Sequence, residues 1–257
     1  MEFLVIALVA LFASLLTFFS GFGLGTLLLP ALLLFFPAPV AIAGTGAVHL
    51  LNNLLKIFLI GKAINPKVLF SFGLSAMAGA LAGSSLLVTL ARDLEIVTFS
   101  LSGQQFTTNS LKLVIAALML IFALFELLPA LRKLQIGGGL LVPGGLLSGF
   151  FGGLSGHQGA LRTAFLVKMG LNKEAFIATG AGISLFVDFA RLPVYFAKME
   201  KVEWLQHLPV LSVATLAAFA GAVAGRFLLK KITLEFVRVV VGVLIIALAV
   251  ALALGLV

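Results

Sequence analysis

Apolar residues dominate the chain in ten runs, over roughly 3–19, 21–36, 40–61, 68–91, 111–131, 137–153, 156–170, 174–197, 208–229 and 233–256. A run of about 20 apolar residues crosses a bilayer as a helix, and most of these are that long. The second, sixth and seventh are short and broken by Gly or Pro, and the first is at the limit. They form two pairs at corresponding places in two halves, a pattern that in a transporter points to the binding site. The prediction is an all-α integral membrane protein of about ten transmembrane or half-membrane segments. The stretch from Arg92 to Ser110, with TFSLSGQQFTTNS, has no helical periodicity and reads as a loop, a cover over one mouth.

The halves, 1–131 and 132–257, read as repeats within one membrane domain. Gly23 to Pro30 aligns with Gly156 to Thr163, and His49, Asn53 and Lys56 align with Ser184, Asp188 and Arg191. Gly79-Ala80-Leu81-Ala82-Gly83 matches Gly221-Ala222-Val223-Ala224-Gly225, two small-residue faces suited to close helix packing. The connection from Lys198 to His207 is longer than that from Lys62 to Lys67, and His207 reads as solvated in it. Five segments per half, an odd number, invert the second half relative to the first.

Composition supports the membrane assignment. Of the residues 62% are hydrophobic and 10% charged, and the mean hydropathy of +1.25 is more than a soluble chain of this length can bury. With no cysteine, disulfides, thiol catalysis and thiolate metal sites are excluded. The first run carries Glu2 and no basic stretch, so it reads as a retained span. The net charge of +8 reflects topology rather than nucleic-acid binding. With the N-terminus outside, the inner connections hold eight basic residues: Lys62, Lys67, Arg132, Lys133, Lys168, Lys173, Lys230 and Lys231. The outer ones hold four: Arg92, Lys112, Lys198 and Lys201. Both termini are therefore expected outside.

The candidate chemistry lies where polar residues interrupt lipid-length segments. In SGFFGGLSGHQGALRT (Ser148 to Thr163) five glycines surround His157, Gln158 and Arg162. A guanidinium at bilayer depth costs about 2.5–3.5 kcal/mol on insertion scales, so it must face protein or water. In the third run His49, Asn52, Asn53 and Lys56 share one helical face, and in the eighth Ser184, Asp188 and Arg191 repeat the spacing. Glycine breaks open helix N-termini whose N–H groups attract oxyanions. The candidate anion site is accordingly Arg162, Gln158, His157, His49, Asn53, Gly23, Gly25 and Gly156. Asp188, Arg191 and Lys56 are candidates for coupling or ion pairing. The structural alternative is interhelical bonding by Asn52 and Asn53, a snorkelling Lys56, and Asp188 paired with Arg191 or Arg162. No cofactor and no metal are expected, since His49, His157 and Asp188 lack dense ligand spacing.

These residues also resemble a known family. GFGLGTLLLPALLLFFPAPVAIAGTGAVHLLNNLL (Gly21 to Leu55) resembles the first-repeat signature of the TauE/SafE sulfite exporters, also called toluene sulfonate uptake permeases. SGFFGGLSGHQGALRTAFLVKMGLNKEAFIATGAGIS (Ser148 to Ser184) is similar to the second-repeat copy, with Thr163 where the family often has Pro. The resemblance spans essentially the whole chain. It implies transport of sulfite, organosulfonates or related small anions across a bacterial inner membrane, not catalysis. The expected mechanism is alternating access between the repeats. A passive anion channel, or a carrier of another small carboxylate or oxyanion, is the alternative. The expected partners are the anion and the lipid bilayer, with a homodimer possible.

Overall fold

Ten α-helices and one β-hairpin make up the described residues of the computed structural model, which are 1–20, 24–90, 95–101, 104–128, 130, 138–197, 201–228 and 234–256. The first five helices are α1 (Glu2–Ser20), α2 (Leu24–Leu33), α3 (Ala38–Ile60), α4 (Pro66–Leu90) and α5 (Ser110–Leu127). The other five are α6 (Leu141–Ser155), α7 (Gly159–Leu166), α8 (Lys173–Phe196), α9 (Lys201–Leu228) and α10 (Leu234–Ala253). Among the described residues, four stretches are long and apolar enough to cross a membrane: Ala38–Ala63, Pro66–Leu90, Lys173–Phe196 and Gln206–Phe227. Their outer faces carry exposed Phe58, Leu74, Phe189, Leu216 and Phe227, which suits a surface solvated by lipid.

Helix ends follow the local chemistry. Pro37 and Pro39 stand at the start of α3, where a missing N–H leaves no hydrogen bond unmade. The Asn109 and Asn172 side chains accept from Lys112 N and Ala175 N, each at 2.8 Å, and so start α5 and α8. Helix α6 ends at Gly156, whose left-handed φ of +80° is open to glycine at little cost.

Close packing is built from glycine. A Cβ at Gly145, Gly149 or Gly153 of α6 would overlap the backbone of α4 at Phe72, Ala76 and Ala80 respectively. Both helices advance together through these contacts, so they run parallel. From the other side, Gly79 and Gly83 of α4 lie against the carbonyls of Leu146 and Phe150, and Gly221 of α9 lies against that of Leu11 in α1. Helices α3 and α8 run antiparallel: Gly46 abuts Arg191, His49 meets Asp188, and Ile60 clusters with Ile177 and Ala178. Helix α5 packs on α10. The short helices are interior: nine of the ten residues of α2 are buried, and so are Leu161, Arg162, Ala164, Phe165 and Leu166 of α7.

Three expectations change. The Arg92–Ser110 stretch contains an antiparallel hairpin, β1 (Glu95–Leu101) with β2 (Gln104–Asn109), in which Phe99 pairs with Phe106 and Thr98 with Thr107. Its β-branched residues, Ile96, Val97, Thr98, Thr107 and Thr108, favour a strand over a loop. The Lys198–His207 connection is largely helix, because α9 starts at Lys201. There His207 is half-buried and packs edge-on against Phe36 at 4.8 Å rather than standing free in a loop. The boundary placed at 131/132 lies outside the described residues, as do Arg92, Arg132, Lys133, Lys198, Lys230 and Lys231.

Candidate functional site

The two polar ladders meet along the α3–α8 seam. His49 Nδ1 lies 2.7 Å from Asp188 Oδ2, joining the two helices. Asn53 turns its amide back on its own helix, donating to the His49 carbonyl at 2.9 Å and standing 3.1 Å from the ring nitrogen Nδ1. Arg191 reaches Asp188 Oδ1 through Nε at 2.9 Å and Nη2 at 2.7 Å. Asp188 therefore accepts from both sides of the seam, and it is fully buried.

Arg191 makes a further contact that fixes the glycine break. Its Nη1 donates to the Gly152 carbonyl at 2.9 Å, and the Tyr195 hydroxyl donates to the Gly153 carbonyl. The last carbonyls of a helix lack partners within it, and its C-terminal end is electronegative. Helix α8 supplies two donors, one of them cationic, to the end of α6. Beyond them Gly156 turns the chain, with Arg191 Nη1 3.3 Å from where a Cβ would stand. The Gly156 carbonyl in turn faces Gly25, at 3.1 Å from that residue's would-be Cβ. The two glycine-rich hairpins thus touch inside the protein, with Thr45 of α3 alongside Gly25.

Arg162, one turn into α7, lies across the other part of the seam. Its Nη1 donates to Ser184 Oγ, and Gly180 leaves room for the guanidinium, with Nε 3.5 Å from a would-be Cβ. Its Coulomb interaction with Asp188 is attractive and that with Lys56 repulsive. Lys56 is 1% exposed, so it is enclosed by protein and does not snorkel. Among the described residues the buried charges are Lys56, Arg162 and Arg191 against Asp188, three cations to one carboxylate. Buried charge is costly unless compensated.

Several buried polar atoms around the hairpins have no hydrogen-bond partner: Thr45 Oγ1, Asn52 Nδ2, His157 Nε2 and both amide atoms of Gln158. Gln158 starts α7 through its backbone, its carbonyl accepting from Ser148 Oγ at 3.0 Å, while its side chain lies against Gly152. His157 is stacked on Phe122 at 5.3 Å with the ring planes nearly parallel, and its Nδ1 is 3.0 Å from the Ser155 carbonyl. A cavity of about 400 Å³ opens elsewhere, between the α2–α3 turn, Asn109–Lys112 and Leu252, and none of the seam residues lines it.

Of the sequence candidates, the structure brings together His49, Asn53, Asp188 and Arg191 by hydrogen bonds, Gly25 and Gly156 by contact, and Lys56 and Arg162 by charge. His157, between α6 and α7, packs on Phe122 of α5, within electrostatic range of Arg191, and Gly23 lies outside the described residues. Sequence reasoning passed over Tyr195, Thr45 and Ser14, whose hydroxyl donates to Asn52 Oδ1 at 2.9 Å. Tyr195 had a signal. It is the single tyrosine of the chain and continues the Ser184, Asp188, Arg191 face by one further turn.

Fold and seam together define a multi-pass helical membrane protein with a buried, predominantly cationic junction between broken helices. The chain belongs to the sulfite exporter TauE/SafE family, whose model matches residues 6–252. That family is one of membrane exporters of sulfite and related sulfur compounds. No curated protein and no solved structure matches the chain.

Proposed function

We propose that this protein is a secondary transporter of a small sulfur oxyanion, sulfite or an organosulfonate, held at the α3–α8 seam between inverted halves. The observation that carries the reading is the buried excess of cations, Lys56, Arg162 and Arg191 facing Asp188 alone among the described residues. Arg191 is already engaged by Asp188 and the end of α6. Arg162 and Lys56 are the other two basic side chains buried at the seam, Arg162 with one guanidinium nitrogen donating to Ser184. A guanidinium fork matches two oxygens of a sulfite or sulfonate group, and the Gln158 amide adds N–H donors close by.

The inverted arrangement is supported by how the halves pack. Helix α1 packs on α9 while its counterpart α6 packs on α4, and α3 and α5 pack on their own counterparts α8 and α10. The parallel course of α4 and α6, and the antiparallel course of α3 and α8, are what a two-fold axis in the membrane plane requires. Touching hairpins at such an axis suit alternating access. The bias of basic residues places both termini on the outer, periplasmic side of a bacterial inner membrane.

The test is thermal stabilisation of the purified protein by sulfite, sulfate, thiosulfate, taurine and sulfoacetate. A ligand bound to the folded state alone at 100 times its Kd stabilises by about 2.7 kcal/mol. Sulfite or a sulfonate should raise the melting temperature in a saturable way. A panel in which no anion does so refutes the assignment. In proteoliposomes, accelerated exchange of labelled anion across the membrane separates a carrier from a channel.

A further inference from the structure

His157 is held in a geometry that defines what its free nitrogen can do. Two oxygens face Nδ1: the Ser155 carbonyl at 3.0 Å and Ser155 Oγ at 3.3 Å. The Ser155 hydroxyl gives its own proton to the Phe151 carbonyl at 3.1 Å. Both oxygens therefore act on the ring as acceptors, and Nδ1 must carry the hydrogen. In the neutral imidazole Nε2 then presents a lone pair. That nitrogen is buried in a residue 2% exposed and has no hydrogen-bond partner. Stacking on Phe122 fixes the ring plane, and the ring is buried, where carrying a charge is costly. A buried acceptor left unpaired is costly, and no anionic oxygen can satisfy it, because both atoms would present lone pairs.

We infer that His157 Nε2 accepts a hydrogen bond from the transported molecule, so that the ligand carries an O–H or N–H donor beside its oxyanion group. This rests on the reading of the seam as an anion site. Gln158, next in the chain and equally unpartnered, offers donors to anionic oxygens. The pair of residues thus presents both kinds of hydrogen-bonding group at one hairpin. Hydroxylated and aminated sulfonates fit this chemistry, and so does hydrogensulfite in its O–H form. Fully deprotonated sulfate and plain alkyl sulfonates do not. A site built to bond a hydroxyl rejects a ligand of the same shape without it, because its own buried group is then left unpaired.

The experiment compares 2-hydroxyethanesulfonate with propane-1-sulfonate, which replaces the hydroxyl by a methyl, using the full chain in detergent. Affinities come from the dependence of melting temperature on ligand concentration, with sulfite as the reference anion. The parent should bind the hydroxylated ligand at least about tenfold more tightly. His157→Phe keeps an aromatic ring against Phe122 and lacks the acceptor, so it should lose this preference. His157→Leu serves as a second acceptor-free variant if the first does not fold. A parent that binds sulfite yet shows no preference between the two sulfonates, or binds neither, overturns the inference and leaves the anion site standing. A His157→Phe or His157→Leu protein that keeps the preference also overturns it. A parent that binds none of the three anions refutes the underlying reading instead.

Discussion

Replacing Arg162 by lysine keeps a positive charge one turn into α7 and removes the planar fork. The parent side chain is 4% exposed, with one guanidinium nitrogen donating to Ser184 and the whole group lying over Gly180. A lysine ammonium is a point charge whose donors do not match an oxygen pair in one plane. Losing one charge-assisted hydrogen bond costs about 1.5–3 kcal/mol, which at about 1.4 kcal/mol per decade weakens sulfite binding roughly 10- to 100-fold. Arg162→Ala also removes the charge, and truncating such a buried contact costs on the order of 2–5 kcal/mol of binding. The assay is the sulfite dependence of the melting temperature, with size-exclusion profiles checking the fold. A group that only balanced Asp188 would tolerate lysine. If both variants remain folded and bind sulfite within about twofold of the parent, Arg162 is not an anion ligand and the reasoning fails.

The remaining predictions concern the seam, the packing and the orientation. Asp188→Asn leaves His49 and Arg191 without their shared carboxylate and should destabilise by about 3–5 kcal/mol; an unchanged melting temperature refutes this. Gly83→Ala drives a Cβ into the Phe150 carbonyl and should cost about 1–3 kcal/mol, whereas Gly139→Ala, with nothing within 4 Å, should be neutral. Equal melting temperatures for those two variants would contradict the close α4–α6 approach. For topology, a cysteine at exposed Ser100 should be labelled from outside intact cells and one at exposed Lys67 should not; the opposite pattern overturns the orientation.

The seam was legible because the helical period is short and strict. His49, Asn53 and Lys56, like Ser184, Asp188 and Arg191, stand at intervals that share a face, so the two polar faces were visible, while the His49–Asp188 pair across them was not. The glycine break at Gly156 was also visible, since glycine favours the left-handed turn found there. Partner choice was less visible. Whether Arg191 or Arg162 holds Asp188 directly depends on where α7 lies against α8, a tertiary matter that spacing does not encode. Tyr195 was missed because its partner is a backbone carbonyl, and sequence does not show which carbonyls a broken helix leaves open. The hairpin from Glu95 to Asn109 was missed by testing only for helical period. The period-two alternation of Val97, Phe99 and Leu101, followed by Ser102-Gly103, carried the signal.

The two halves share a pattern of breaks and differ in what stands at them. Where the second half has His157, Gln158 and Arg162, the aligned positions of the first are Leu24, Gly25 and Leu29. Those residues are buried and apolar or lack a side chain, and Gly25 meets the second hairpin through backbone alone. The first half contributes instead through α3, with Thr45, His49, Asn52, Asn53 and Lys56. The polar groups are thus divided unequally: one hairpin brings a guanidinium and an amide, while the opposite half brings a helix face. Were both hairpins equally polar, their meeting at the centre would bury a fourth basic side chain against a single carboxylate. Each unsatisfied group in such a place costs several kcal/mol. An apolar first tip keeps that cost to one hairpin, and it explains why the polar residues that broke the hydrophobic pattern of this chain cluster so strongly after Gly156.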